Sequence, residues 1–145
     1  MFLGEYAHTI DEKGRMIIPA GFRELLQDGA IITVGFDQNL IVWPIAIYEQ
    51  IRSRISKMSV TDSNTRLLRR MFFSKAFRIE FDKTGRILIP QPLREAARLG
   101  ENAVVTGVDD TLEIWSAELW AEQDQLIQDG KTNAERFAAL DLPLR

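Results

Sequence analysis

One motif is written twice in this 145-residue chain, and that duplication limits what the chain can fold into more than any other feature. Asp11-Glu12-Lys13-Gly14-Arg15-Met16-Ile17-Ile18-Pro19 returns as Asp82-Lys83-Thr84-Gly85-Arg86-Ile87-Leu88-Ile89-Pro90, 71 residues later. From Asp11 to Glu24, half of the 14 positions are identical in the second copy, including Arg23-Glu24 against Arg94-Glu95. The echo then shifts by one residue to match Leu40-Ile41-Val42-Trp43 with Leu112-Glu113-Ile114-Trp115. Two copies are too few for a stacked solenoid, which needs at least about three. Each copy spans roughly 40 to 45 residues, close to the size below which a lone core rarely stabilises itself. The copies are therefore expected to be halves of one pseudo-symmetric domain with a shared core.

Within each copy the pattern predicts four strands and a helix. Glu5 to Ile10 alternates with Tyr6, His8 and Ile10 on one face, and Ala76 to Phe81 alternates with Phe77, Ile79 and Phe81. Each of these strands ends in Asp-x-x-Gly-Arg. The carboxylates of Asp11 and Asp82 can accept turn N–H groups, and Gly14 and Gly85 can supply a positive φ, so two hairpins are expected with an arginine at each turn exit. Gly21 to Gln27 and Pro92 to Leu99 read as short helices after Pro19 and Pro90. Ala30 to Phe36, Asn102 to Val108 and the segments ending at Trp43 and Trp115 read as further strands.

Outside the copies, Pro44 opens a helix predicted to turn Ile47, Ile51, Ile55 and Met58 to one side, and Ser116 caps its counterpart. Asp62 to Phe73 reads as a connector helix. Gln128 to Arg145, with Gly130, Asn133 and Pro143, reads as a tail with a short helical piece at Ala134 to Leu140. The resulting division is repeat 1 at residues 5–47, a helical connector at 48–75, repeat 2 at 76–119 and a C-terminal helix with an acidic tail at 120–145.

Several function classes are excluded on composition and pattern. There is no cysteine, so disulfides, thiolate catalysis and thiolate metal sites are out, and the chain suits a reducing cytoplasm. His8 is the only histidine, and its counterpart is the apolar Ile79, which favours a packed role over ligation. No nucleophile–base pair, phosphate loop or metal motif is present, so no enzyme activity, cofactor or metal is expected. The first 15 residues carry acids and no apolar stretch, which predicts no signal peptide. The longest apolar run, Leu40 to Tyr48, is interrupted by Pro44 and falls short of the roughly 20 residues that span a bilayer.

The net charge of −3 argues against a nucleic-acid partner until its distribution is considered. Between Ile51 and Arg86 lie ten Lys or Arg against three acids, and from Asp109 to Arg145 nine acids against three bases. The first stretch suggests a basic working surface and the second an acidic tail, although solvated helix faces would look the same. Arg15 and Arg86, each after a turn glycine, could reach DNA phosphate or guanine O6 and N7, or could pair internally with Asp11 or Asp82. Lys13 and Lys83 lie in the same turns at different positions and suit a phosphate role. Arg66, Arg69, Arg70, Lys75 and Arg78 fit oligomer contacts or a general field better than base readout. Arg23 and Arg94 suit an internal salt bridge, Trp43 and Trp115 core anchoring, and part of the Met71 to Phe73 cluster burial between subunits.

The Asp-x-x-Gly-Arg duplication resembles the SpoVT-AbrB DNA-binding fold. Together with the Met1-Phe2-x-Gly4 start and the Arg-rich connector, it makes nearly the whole chain similar to the MraZ family of bacterial regulators of the division and cell wall gene cluster. The resemblance implies an α+β, mostly β fold, a pseudo-symmetric double-split β-barrel built from two repeats with peripheral helices. It also implies a ring-like homo-oligomer, nucleoid association in the cytoplasm, and repression of its own operon by binding double-stranded DNA at promoter direct repeats. Arg15, Arg86, Lys13 and Lys83 would then contact DNA, with Asp11, Gly14, Asp82 and Gly85 shaping the turns. A second reading, an antitoxin-like protein-interaction module whose acidic tail fills a basic groove, stays open.

Overall fold

The structure is a computed structural model and describes residues 1–142; Pro143 and Arg145 of the expected tail lie outside the described residues. Repeat 1 supplies β1 (Glu5–Thr9), β2 (Arg15–Ile17), α1 (Ala20–Leu25), β3 (Ala30–Val34) and β4 (Leu40–Pro44). After α2 (Ile45–Ser56) and α3 (Ser63–Arg69), repeat 2 supplies β5 (Ala76–Ile79), β6 (Arg86–Leu88), α4 (Gln91–Ala96), β7 (Asn102–Gly107) and β8 (Leu112–Ser116). Two helices follow, α5 (Ala117–Gln128) and α6 (Gly130–Ala138). The expected four strands and a helix per repeat are present.

The strands form a six-stranded antiparallel sheet in the order β1-β7-β8-β4-β3-β5 and a separate two-stranded ribbon, β2-β6. Exchanging the equivalent strands of the two repeats turns the sheet order into its own reverse. Among the described residues only β3–β4 and β7–β8 pair within a repeat; the other four pairings cross between repeats. Among the described residues no pairing joins the end strands β1 and β5, so strand pairing alone leaves an open sheet and a ribbon rather than a closed barrel.

Fully buried aliphatic side chains from both repeats meet in one cluster, which explains why the halves cannot separate. Ile18, Leu40 and Val42 of repeat 1 and Ile87, Ile89, Val105, Leu112 and Ile114 of repeat 2 are all 0% exposed in one cluster. Burying each such side chain contributes about 1.5–3 kcal/mol relative to leaving it in water. The shared core predicted from repeat size is thus a single physical object.

The expected hairpins are turns whose strands then part. Asp11 N–H donates to Arg15 O at 2.9 Å and Gly14 N–H to Asp11 O at 2.9 Å, with matching bonds at Asp82 (2.9 Å) and Gly85 (3.1 Å). Beyond that rung, β1 goes to β7 and β2 to β6. Backbone from the other repeat takes the place of the hairpin partner: Ile18 N–H donates to Gly85 O at 3.2 Å, and Ile89 N–H to Gly14 O at 2.9 Å.

Arg23 and Arg94 lock this crossing, though without the salt bridge expected of them among the described residues. Arg23 donates to Ile18 O at 2.9 Å and lays its guanidinium against Gly85, and Arg94 lays its guanidinium against Gly14. The glycines have φ of +84° and +80°, and a Cβ at either would overlap the guanidinium. Gly14→Ala and Gly85→Ala should each lower the unfolding free energy by about 1–3 kcal/mol, from backbone strain plus displacement of the arginine. A urea titration checks this, and an unchanged midpoint for both variants would mean the turns relax freely.

The connector differs in detail from the sequence reading. α2 buries Tyr48 and Ile55, while Ile47 is half-buried and Met58 lies exposed beyond the helix end; the Tyr48 ring stacks on Phe72 at 4.6 Å and its hydroxyl donates to Phe72 O at 3.0 Å. Asp62 caps α3, which runs into a π-helical turn, Arg70–Ser74. That wider turn points Phe72 into a second small core with Ile31, Tyr48 and Ile55, against which the partly buried Phe73 packs. At the C-terminus the helical piece starts earlier than expected, at Gly130. Asp129 breaks the helix and accepts from Thr132 N–H, while the Asn133 amide donates back to Leu126 O and Ile127 O at 2.7 and 3.1 Å.

Candidate nucleic-acid interface

The β2–β6 ribbon brings both signature arginines to one face. Its register pairs Arg15 with Leu88, Met16 with Ile87 and Ile17 with Arg86. Strand alternation sends Met16 and Ile87 into the core at 1% and 0% exposure, leaving Arg15, Ile17, Arg86 and Leu88 on the outer face. Ile17 and Leu88 are 44% and 57% exposed, two aliphatic side chains on the same outer face as the arginines. The sequence reading passed over them; a period of two, counted outward from each arginine, identifies both.

The turns flank this ribbon and set its electrostatics. Asp82 accepts from Thr84 N–H and Thr84 hydroxyl, both at 2.9 Å, and from Arg86 N–H at 3.0 Å; its second oxygen takes Arg86 Nε at 2.8 Å. Asp11 accepts from Lys13 N–H and Arg15 N–H at 2.9 Å each, and its second oxygen lies 3.5 Å from Arg15 Nε and 3.6 Å from Arg86 Nη1. The internal pairing left open by the sequence is therefore present, and it draws both arginines toward one carboxylate. The two are not equivalent: Arg86 is held by a short charge-assisted bond, whereas Arg15 Nε has no hydrogen-bond partner among the described residues. Each arginine side chain remains about a third exposed, at 32% and 34%.

The same donors depress both aspartates below the usual carboxylate range. For Asp11 the Arg15 N–H is the main cause, assisted by the Lys13 N–H and the charges of Arg15 and Arg86; for Asp82 the Arg86 N–H leads, followed by the Thr84 hydroxyl and N–H. A carboxylate depressed on folding stabilises the fold above its unfolded value of about 3.9 and loses that contribution as pH falls through the folded value. Both carboxylates should therefore stay ionised below the usual carboxylate range, Asp82 further than Asp11 because it has more donors. Carboxyl-carbon NMR across pH 1 to 5 reads this directly, and ordinary titration of either group would contradict the turn geometry.

The other residues singled out in the sequence are dispersed. Lys13 and Lys83 are exposed at the turns and take part in no ion pair among the described residues. Arg66 is engaged within the connector, donating to Val60 O and Thr61 O, and Arg69 lies 5.7 Å over the Phe73 ring. Trp43 and Trp115 sit near the C-terminal ends of the two central strands, β4 and β8, the latter tryptophan 3% exposed. His8 is half-buried, and burial lowers its pKa. No cluster of His, Cys, Asp or Glu able to hold a metal occurs among the described residues, and no helix among them is long and apolar enough to cross a membrane.

The chain is a duplicated fold with a twofold-related arginine ribbon, and the relatives it is similar to are named as transcriptional regulators. Residues 1–71 and 72–141 each match the family described as "MraZ protein, putative antitoxin-like". "Transcriptional regulator MraZ" of Herpetosiphon aurantiacus is 44% identical over 143 residues, covering 98% of this chain and all of the relative. The protein of the same name from Roseiflexus castenholzii is 46% identical over 138 residues, 95% of this chain and 94% of the relative, and that from Desulfitobacterium hafniense is 44% identical over 134, 92% and 94%. The chain belongs to the MraZ family.

Proposed function

We propose that this protein is a sequence-specific DNA-binding transcriptional regulator that represses its own division and cell wall gene cluster by binding direct promoter repeats. The observation that carries the reading is the β2–β6 ribbon, which presents Arg15 and Arg86 in twofold relation on one partly exposed face. The major groove of B-DNA, about 12 Å wide, admits a two-stranded ribbon, and a bidentate arginine reads guanine O6 and N7. Asp82 holds Arg86 through Nε and Asp11 lies 3.6 Å from its Nη1, which orients the guanidinium, leaves Nη2 clear of both carboxylates and lowers the ordering cost of binding. Ile17 and Leu88 suit apolar contact with thymine methyl groups between the arginines. Lys13 and Lys83, exposed beside them, take phosphates.

The same reading treats repeats 5–47 and 76–119, joined by a 48–75 connector and followed by a 120–145 tail, as one double-split β-barrel, and places the protein at the nucleoid in the cytoplasm. Several ribbons in a ring-like homo-oligomer would convert weak single contacts into tight binding, because later contacts form at high effective concentration. An electrophoretic shift with the region upstream of its own gene tests the core of the proposal. Occupancy of unrelated DNA at equal affinity would reject sequence specificity, and tight capture of a protein partner without DNA binding would favour the antitoxin-like alternative.

The salt dependence supplies a further expected result. Each phosphate contact contributes about −0.9 to the slope of log K against log salt. Replacing Lys13 and Lys83 together by Ala should make the slope shallower by about 2 per engaged subunit, with little change in operator preference. An unchanged slope would remove the lysines from the interface.

A further inference from the structure

The two repeats diverge around their matched tryptophans, and the divergence leaves a built cavity in the second. In repeat 1, Trp43 Nε1 donates to Thr33 Oγ1 at 2.9 Å, and that hydroxyl donates to Val34 O at 3.0 Å, so every polar atom is satisfied. In repeat 2 the equivalent indole turns away: Trp115 Nε1 donates to Glu113 at 3.0 Å instead. Thr106, only 3% exposed, is left with an Oγ1 that has no hydrogen-bond partner among the described residues. A buried hydroxyl without a partner is costly and calls for an explanation.

Thr106 lines a cavity of about 450 Å³ whose walls also include Trp115, Trp120, Glu5, Glu113 and Asp37. The two indole rings face it with centroids 5.8 Å apart and planes at 59°, and Trp120 Nε1 donates to Glu5 at 2.6 Å. Both N–H groups are thus committed to carboxylates, which orients the rings. Among the described residues no lysine or arginine lines the cavity, and none of its three carboxylates joins an ion pair. Aromatic faces attract cations, and carboxylates with a spare oxygen accept from N–H donors.

We propose that this cavity binds an organic cation, a primary ammonium or a guanidinium on a short aliphatic stem. The stem lies against the indole faces, the head donates to Glu113 and Glu5, and Thr106 Oγ1 gains its missing partner. Two sources offer that chemistry, a free amine or a lysine or arginine side chain from the basic connector of a second copy. The site is independent of the arginine ribbon, and its test does not involve DNA.

The chain has three tryptophans, so the indole N–H region of a ¹⁵N NMR spectrum reads the site directly. Titrating dilute full-length protein with n-butylguanidinium or spermidine should shift the Trp115 and Trp120 signals and leave Trp43 in place. n-Butanol, which keeps the stem and loses the charge, should shift none. Glu113→Gln and Glu5→Gln, which keep an acceptor for each indole, should each weaken cation binding about tenfold or more. Shifts in dilute protein that need added amine identify a free ligand. The same shifts appearing as protein concentration rises, and reversed by n-butylguanidinium together with self-association, identify a side chain of a second copy. Signals unmoved by cation and by protein concentration, an equal response to n-butanol, or unchanged affinity in both glutamine variants would overturn the proposal.

Discussion

Replacing Arg15 and Arg86 together by Ala should nearly eliminate operator binding while leaving the protein folded. Each arginine, if bidentate to a guanine, contributes about 1–3 kcal/mol, so independent losses would total about 2–6 kcal/mol per ribbon, or roughly 30-fold to 10⁴-fold. Independence is not expected, because both guanidinium groups approach Asp11, at 3.5 and 3.6 Å. Groups sharing a partner couple by about 0.5–3 kcal/mol, and a double-mutant cycle on operator affinity measures that coupling. Arg86→Ala should be the costlier single change, since Arg86 is the arginine already held in place by Asp82 at 2.8 Å. Wild-type affinity in all three variants would remove the ribbon from the interface.

The largest structural effect is expected from cutting the chain between its repeats. A fragment of residues 1–71 retains only the β3–β4 pairing; β1 loses β7, β2 loses β6, and β3 and β4 each lose their other neighbour. It also exposes Ile18, Leu40 and Val42, each fully buried in the intact protein. An isolated two-stranded hairpin is marginal in water, so this fragment should show no cooperative thermal transition at low micromolar concentration. The complementary fragment of residues 72–142 should restore one when mixed with it, since four of the six strand pairings join the two. Independent cooperative folding of either fragment as a monomer would contradict the shared core.

Much of this architecture is legible in the sequence because the duplication is local and strong. The Asp-x-x-Gly-Arg turns announce themselves through residue chemistry: a carboxylate for the turn N–H groups and a glycine for positive φ. What local pattern does not carry is the choice of partner. Nothing in Glu5 to Ile17 indicates that β1 will pair with β7 in preference to β2, because a nearby turn makes the hairpin the default expectation. The role of Arg23 and Arg94 was hidden for the same reason, as each acts on the glycine of the opposite repeat. Tyr48 was passed over because the aliphatic positions of its helix also form a plausible face. Only Phe72, brought in by the π-helical turn, selects between them.

At the site, the arginines and aspartates were readable as a set, but their geometry was not. Spacing within one repeat cannot reveal that Arg86 reaches across to Asp11, since that contact depends on the β2–β6 register. The exposed Ile17 and Leu88 look like core residues in a sequence where every neighbouring aliphatic is buried. Their outward position follows only once Met16 and Ile87 are known to face in.

The self-reversing strand order has an evolutionary consequence. The same sheet could be assembled from two identical chains, each lending its first strand to the other. In such a pair every substitution appears at two symmetric places at once, so a change that helps at one and harms at the other is lost. Joining the halves through α2 and α3 gives each substitution a single address. One turn can then grip its arginine while the other leaves it loose, and one tryptophan can close onto its threonine while its twin opens a cavity. The covalent connector is what allows a symmetric scaffold to hold two different sites.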